Sequence, residues 1–326
     1  MKAFEYATPQ SLEEATSMLA EKWGETEILA GGTDLVTSLK QEITAPKRVV
    51  SLRNIAQLKG IKASPKSLRI GAMTTLAHLG ADAEIKKHFP ALVTAVNGIG
   101  SQQIISVGTV GGDLCQRPRC WYFRNGHGLL ARADGNSLVP DGDNRYHAIF
   151  GNEGPAYFVS ASSLGPAWIA LGANVKVVGP KGKARSIAAK EFFHTPKTDN
   201  ERETALNPNE IVTEIEVPIR GLKNATYEVR HRHGFDWPYV TATVAFAVKG
   251  GSATEAQVVL GHVAPVPWPS ASASKVLSGA KVEASLAAKC GDAATQVTRP
   301  LSGNAYKVQL VKVAVKRAVL AAAGMA

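Results

Sequence analysis

Cysteine is scarce in this chain, with three residues in 326, at Cys115, Cys120 and Cys290. An odd, sparse set excludes a secreted disulfide framework and fits a reducing compartment. Long apolar runs are missing too. The longest uncharged stretches, such as residues 239–248 and 319–323, fall far short of the roughly 20 residues that span a bilayer, so no transmembrane segment is expected. The opening Met1-Lys2-Ala3-Phe4-Glu5-Tyr6 has no apolar signal core, which makes the cytoplasm the default location; the periplasm becomes the alternative if a signal-bearing partner carries the chain across. Acidic residues are the minority, 27 against 37 lysines and arginines, for a formal charge of +10. Such a surface attracts nucleic acids, anionic cofactors and acidic partners alike. The basic residues form no dense run and no nucleic-acid motif, so nucleic acid is not expected as a partner.

What is present reads as a globular protein. The 45% hydrophobic and 20% charged content is enough for a real core divided among two or three domains. Ser11 with Glu14 forms a capping box, and Leu12, Ala15, Leu19 and Trp23 repeat at helical spacing up to Gly24. A short strand, Glu27 to Ala30, runs into Gly31-Gly32-Thr33-Asp34-Leu35. Further strands are predicted at Arg48–Leu52 and Ser67–Ile70, with helical stretches between Thr75 and Val96. A second glycine turn, Gly108 to Asp113, follows Ile104 to Val107. From Cys115 to about Gly154 the sequence turns to Arg, Asp, Asn, Gly and Pro with little periodicity, predicting an irregular surface insertion. Strands resume at Asn174–Val178 and Glu210–Pro218, and three more (Tyr227–Arg232, Val240–Val248, Ala256–Gly261) precede two helical stretches. The last of these, about Asn304 to Ala323, sets Lys307, Lys312, Lys316 and Arg317 beside apolar residues as an amphipathic packing helix.

The chemistry concentrates in the two glycine turns. A glycine turn lets successive backbone N–H groups approach a pyrophosphate because no Cβ intervenes. Ala30 to Leu35 suits that task, with Thr33 as a hydroxyl donor and Asp34 as an acceptor for a ribityl or ribose hydroxyl, or as a cap. Thr109 to Asp113 repeats the pattern on a distant part of the chain, as two loops clamping one dinucleotide would. Neither turn is a Walker loop or a Rossmann fingerprint. The residues alone therefore support a pair of anion-binding loops without naming the anion. Gly111 is expected where the second loop meets the phosphates, so that a β-branched residue there removes the ligand and spares the fold.

The ordered set of Ala30-Gly31-Gly32-Thr33-Asp34-Leu35, Thr109-Val110-Gly111-Gly112-Asp113, Glu210 to Pro218, Gly261-His262-Val263-Ala264-Pro265-Val266-Pro267 and Asn304-Ala305-Tyr306-Lys307 resembles the FAD-binding subunits of molybdenum hydroxylases, the xanthine dehydrogenase and carbon monoxide dehydrogenase flavoproteins. That resemblance spans nearly the whole chain. It implies an α+β architecture, with a PCMH-type FAD-binding fold in two subdomains (1–56, and 57–220 with the insertion at about 115–154) and a C-terminal flavoprotein domain (221–326) holding a three-stranded antiparallel sheet and helices. It implies FAD bound noncovalently, and it implies an iron–sulfur small subunit and a molybdopterin large subunit as partners. Electrons would pass from the partner's clusters through FAD to an external acceptor. Carried over position by position, Ile28, Leu29, Ala30, Gly31, Gly32, Thr33, Asp34 and Leu35 line the first loop, and Thr109, Gly111, Gly112 and Asp113 the second. Ile99, Val212 and Arg230 match further contacts; their alternative roles are core residues for the first two and a strand cation for the third.

Two departures stand out. Ser163, in Ser160-Ala161-Ser162-Ser163-Leu164, occupies the place of an acid found in many relatives and keeps hydrogen-bonding capacity without charge. Cys115-Gln116-Arg117-Pro118-Arg119-Cys120-Trp121-Tyr122-Phe123 resembles the start of an insertion that holds a four-iron cluster in some relatives, yet it offers two cysteines where four thiolates are usual. A site from Cys115, Cys120, His127 and His147 has ligand types at unusual spacing; two reduced structural cysteines are the preferred reading. The run His231-Arg232-His233 gives no sign of acid–base catalysis, because the flavin does the redox chemistry, and no catalytic side chain is assigned. Two other functions compete with electron transfer: a self-sufficient flavin oxidase with its own substrate pocket, and a non-enzymatic scaffold whose loops hold another anion.

Overall fold

The computed structural model describes residues 1–232 and 235–325, and three main sheets carry the chain. The first is parallel, with order β1-β3-β2, from β1 (Glu5–Ala7), β2 (Thr26–Leu29) and β3 (Arg48–Ser51). Parallel neighbours need crossovers, supplied here by α1 (Leu12–Ser17) and α2 (Leu35–Lys40). Ser11 caps α1 as expected, its Oγ accepting from the Glu14 N–H at 3.1 Å. The helix is shorter than its apolar spacing predicts and stops at Ser17. Side chains capture the backbone beyond it: Arg48 Nη1 donates to the Met18 carbonyl at 3.1 Å, and the Ala20 N–H donates to Thr26 Oγ1 at 2.9 Å.

The second sheet is antiparallel. It begins with β4 (Ile61–Ala63) and β5 (Ser67–Gly71), after which the chain runs through α3 (Leu76–Ala81), α4 (Ala83–His88), α5 (Pro90–Asn97), α6 (Gln102–Val107) and α7 (Val110–Cys115). The insertion contributes α8 (Trp121–Arg124) and a small hairpin, β6 (Arg132–Ala133) with β7 (Asn136–Ser137). Then follow α9 (Gly165–Ala170), β8 (Asn174–Val178), β9 (Ala184–Ala188), α10 (Ala189–Phe192) and β10 (Ile211–Pro218). The strand order is β4-β5-β10-β8-β9. β10 sits at the centre because Ile215 and Val217 alternate inward, joining Leu68, Ile70, Val175, Val177 and Trp168 in one core.

The C-terminal sheet has three long antiparallel strands, β11 (Lys223–Val229), β12 (Val240–Lys249) and β13 (Ser252–Gly261), plus the two-residue β14 (Trp268–Pro269). Helices α11 (Ala271–Leu277), α12 (Ala284–Ala293) and α13 (Tyr306–Ala323) cover it, with α13 packed on β11 and β12. Lys307 does not join the polar face of α13; it is 1% exposed.

The insertion is irregular, but it is not confined to the surface. Ile149 and Phe150 are fully buried in the C-terminal core, and Phe150 stacks on Trp268 at 5.5 Å. Its apolar residues follow no period, so the sequence pattern hid them. Among the described residues, no helix is long and apolar enough to cross a membrane.

Candidate functional site

The two glycine turns come together, and they differ. A Cβ on Gly31 would strike the Val107 carbonyl at the end of α6, so the close approach of the loops depends on its bare Cα. Gly32 has a φ of 78°, a left-handed conformation that glycine adopts without strain. Among the described residues, the N–H groups of Gly31, Gly32, Thr33 and Asp34 donate to no protein acceptor. Buried donors are nearly always paired, and these four half-buried groups in a row form a ready cradle for an anion.

The second turn is instead the start of a helix. Thr109 is the N-cap of α7, its Oγ1 accepting from the Gly112 N–H at 3.1 Å. The neighbouring amides are committed as well: Val110 to the Thr74 carbonyl at 3.0 Å, Gly111 to the Ala72 carbonyl at 2.8 Å and Asp113 to the Thr109 carbonyl at 2.9 Å. Gly111 therefore departs from expectation. Its φ is not positive, and a Cβ on it would sit 2.9 Å from Ala72 Cβ. Gly111 packs α7 against the chain just after β5, with its amide facing protein. Gly112 holds the open position, where a Cβ would meet only Thr109 Oγ1, at 3.0 Å.

Three cavities meet at Gly112. One of about 130 Å³ follows the first loop along Gly31, Thr33 and Leu35. One of about 330 Å³ runs past Thr109, Ile99 and Ser163. The third, of about 160 Å³, reaches Ile28, Gly111 and Val212. Together they make an elongated groove with donors at its middle, which fits an extended group carrying two phosphates better than it fits a compact one.

The carboxylates of the two aspartates are both engaged by protein donors. Asp34 accepts from the Arg117 N–H at 2.8 Å and from Arg124 Nη2 at 2.8 Å, and it pairs with Arg119 Nη1 at 3.2 Å. It makes no capping bond to α2. Asp113 accepts from Ser162 Oγ at 2.6 Å, from the N–H groups of Ser163 and Leu164 at 3.1 and 3.0 Å, and from Gln116 Nε2 at 3.0 Å. Full burial pushes its carboxyl up to about 6 against those donors. Each carboxylate thus positions a segment: Asp34 ties the insertion to the first loop, and Asp113 ties α7 to the chain around Ser163.

Arg230 is placed differently again. Its guanidinium pairs with Glu228 and donates from Nη1 to the Asp236 carbonyl at 3.2 Å, with Gly98 packed against the pair. It lines none of the three cavities and buttresses the segment bearing Ile99. Leu29 and Ala30 lead into the first loop, and Ala30 lines the groove. His233 lies outside the described residues.

Sequence reasoning missed the arginines of the insertion. Arg117 also pairs with Glu203 at 2.9 Å, and Arg124 Nη1 donates to Ser38 Oγ at 2.9 Å. Their signal was three arginines within eight residues, 117 to 124, which only an acidic counterpart could have explained. The two insertion cysteines do not build a cluster site. Cys120 Sγ lies 3.2 Å from His147 Nε2, and among the described residues no three His, Cys, Asp or Glu side chains converge as metal ligands. The donor set does not fit a four-thiolate cluster.

Comparison with known proteins agrees with this geometry. The family described as FAD binding domain in molybdopterin dehydrogenase matches residues 2–220, and the CO dehydrogenase flavoprotein C-terminal domain matches residues 225–322. The chain is 29% identical over 316 residues to the aldehyde oxidoreductase FAD-binding subunit of Escherichia coli, covering 96% of each chain. It is 28% identical to the carbon monoxide dehydrogenase medium chain of Afipia carboxidovorans, covering 97% of this chain and 96% of that one. A solved carbon monoxide dehydrogenase of Hydrogenophaga pseudoflava superposes with a TM-score of 0.78 at 26% identity, over 99% of this chain and 98% of the other. With family matches over most of its length, the chain belongs to the FAD-binding subunits of the molybdopterin dehydrogenases.

Proposed function

We propose that the chain holds one FAD noncovalently along the groove and passes electrons from the iron–sulfur clusters of a partner subunit to an external acceptor. The observation that carries this reading is the row of four uncommitted amides from Gly31 to Asp34, set against a second loop whose amides are already used. In this reading those amides and the hydroxyls of Thr33 and Thr109 donate to the two phosphates, while Gly112 keeps the middle of the groove open. Ile99 and Ser163 flank the wider cavity, and Ile28, Gly111 and Val212 flank the opposite end. Leu35 supports the first loop, and Asp34, Asp113 and Arg230 act as positioning residues. Residues 1–56, 57–220 and 221–326 would form the two binding subdomains and the C-terminal domain. Bound flavin supplies the exchange of electrons singly or in pairs, and the protein supplies position and electrostatics.

The relatives are named as medium chains or subunits of larger enzymes, which supports assembly with an iron–sulfur small subunit and a molybdopterin large subunit. Expression with its genomic neighbours should yield a co-purifying complex, and denaturing that complex should release free FAD into the supernatant. Colour that stays with precipitated protein, or a complex without flavin, overturns the cofactor reading. Full substrate turnover by the isolated chain overturns the electron-transfer reading in favour of a self-sufficient oxidase.

A further inference from the structure

Beside the groove lies a separate cavity of about 190 Å³, walled by Trp121, Tyr146, Trp237 and Tyr239 and sharing Arg119 and the 236–238 segment with the groove's wide end. Tyr146 and Tyr239 stack at 5.6 Å and 13°, and Trp121 meets Tyr146 edge-on at 5.3 Å. The volume is below the roughly 300 Å³ at which drug-sized sites begin, which limits an occupant to one or two rings.

Three residues of the cavity wall each carry a buried polar atom that lacks a partner among the described residues: His262 Nε2, His147 Nδ1 and Arg119 Nε. Such atoms are rare because each loses its hydration without replacement. His262 is 3% exposed and also has a φ of 62°, a strained state for a side chain of its size that clusters at functional sites. Thr241 Oγ1, at 3.0 Å from Nδ1, fixes the ring. Behind it the buried Lys307 Nζ donates to the carbonyls of Tyr146, His147 and His262 at 3.0, 3.2 and 3.0 Å. Lys307 therefore clamps the backbone of both histidines and has no proton left for a ligand.

We propose that this cavity binds a small neutral planar ring bearing carbonyl or hydroxyl oxygens, the chemistry of a quinone or its hydroquinone. Aromatic walls favour a flat ring through offset and edge contacts. Burial holds His262 and His147 neutral, at about 3 and about 4, and a neutral imidazole nitrogen can donate to a carbonyl or, in the other tautomer, accept from a hydroxyl. Both oxidation states of such a ring can thus be held. An anionic ring suits the cavity less well, since Arg119 is already paired with Asp34 and the acidic Asp236 belongs to the same wall.

The position deepens the electron-transfer reading and rests on it, making the bound ring the external acceptor. Converting a quinone to its hydroquinone takes two electrons and two protons. FAD held in the groove and reduced by the partner's clusters would supply both pairs and be left oxidised.

The test is a titration of the flavin-loaded complex with duroquinone, followed by calorimetry and by quenching of tryptophan fluorescence, with benzoate as the anionic arm. Duroquinone should bind saturably and benzoate should not. His262→Asn, chosen because asparagine tolerates left-handed backbone, and Tyr146→Ala at a partly exposed wall should each weaken duroquinone at least ten-fold and leave flavin content unchanged. If His262→Asn fails to fold, Tyr146→Ala decides. Absence of saturable binding, binding untouched by Tyr146→Ala, or preference for benzoate overturns the proposal. Loss of flavin from the unmodified complex would overturn the cofactor reading instead, and calorimetry would still report on the cavity.

Discussion

The two Thr/Gly turns look alike in sequence and behave as opposites in structure. Gly31 to Asp34 stay open, their four amides without a protein acceptor among the described residues, whereas Val110 to Asp113 are wound into a helix and spend their amides on Thr74, Ala72 and Thr109. A binding loop is therefore defined by the hydrogen bonds it leaves unmade, which no residue pattern records. The open turn offers donors, and the closed one offers a rigid floor and one bare position at Gly112.

Substitutions can break this contrast. The largest effect is expected at Gly31→Val, because any Cβ there meets the Val107 carbonyl and forces the loops apart. FAD affinity should fall at least a hundred-fold and thermal stability should fall with it, read as flavin-to-protein ratio and melting temperature. The pair Gly111→Val and Gly112→Val comes next and should separate the two properties. At Gly111 the side chain overpacks against Ala72, which costs about 1–3 kcal/mol, while flavin loss in the folded fraction should be the smaller effect. At Gly112 the side chain enters the groove, so FAD should weaken at least ten-fold with a smaller loss of stability. Equal behaviour of the two variants would erase the distinction between floor and opening.

A smaller effect concerns Asp113, whose folded carboxyl lies at about 6 against an ordinary 3.8 because burial disfavours its charge. Between those values the folded state holds the proton more tightly than the unfolded one, so this group's contribution falls as pH rises from about 4 to about 6. The loss is on the order of 3 kcal/mol. His147 and His262, depressed to about 4 and about 3, push stability the opposite way over much of that range. The difference between the unmodified chain and D113N is therefore the quantity to follow by chemical denaturation: the chain should lose ground to the variant across the window, and parallel curves would contradict the assignment. Thr33→Ala should give the smallest change, a few-fold weaker FAD binding by fluorescence titration, since one hydroxyl donor among several amides is removed.

Much of this was legible beforehand. β8 begins and ends where its alternation predicts, β10 and β12 within a residue, and Ser11 caps α1 through the expected residue. The positions that converge on the groove, Thr33, Ile99, Thr109, Gly112, Ser163 and Val212, came from the glycine turns and the family resemblance rather than from periodicity. What was hidden depends on partners distant in the chain. Asp34 reads as a ligand acceptor until Arg117, Arg119 and Arg124 are seen around it, and Lys307 reads as a surface cation until three carbonyls from the insertion and the 262 turn surround its ammonium. Burying that charge is costly without such bonds, and burial pulls the amine down to about 7.

The most direct test of the central claim is amide hydrogen exchange of the chain with and without FAD, resolved at the two turns. The account predicts that the amides of Gly31 to Asp34 exchange fast in the flavin-free chain and become strongly protected when FAD binds, while those of Val110 to Asp113 are protected in both states. Protection that appears at Val110 to Asp113 on adding FAD, with Gly31 to Asp34 unchanged, would contradict it.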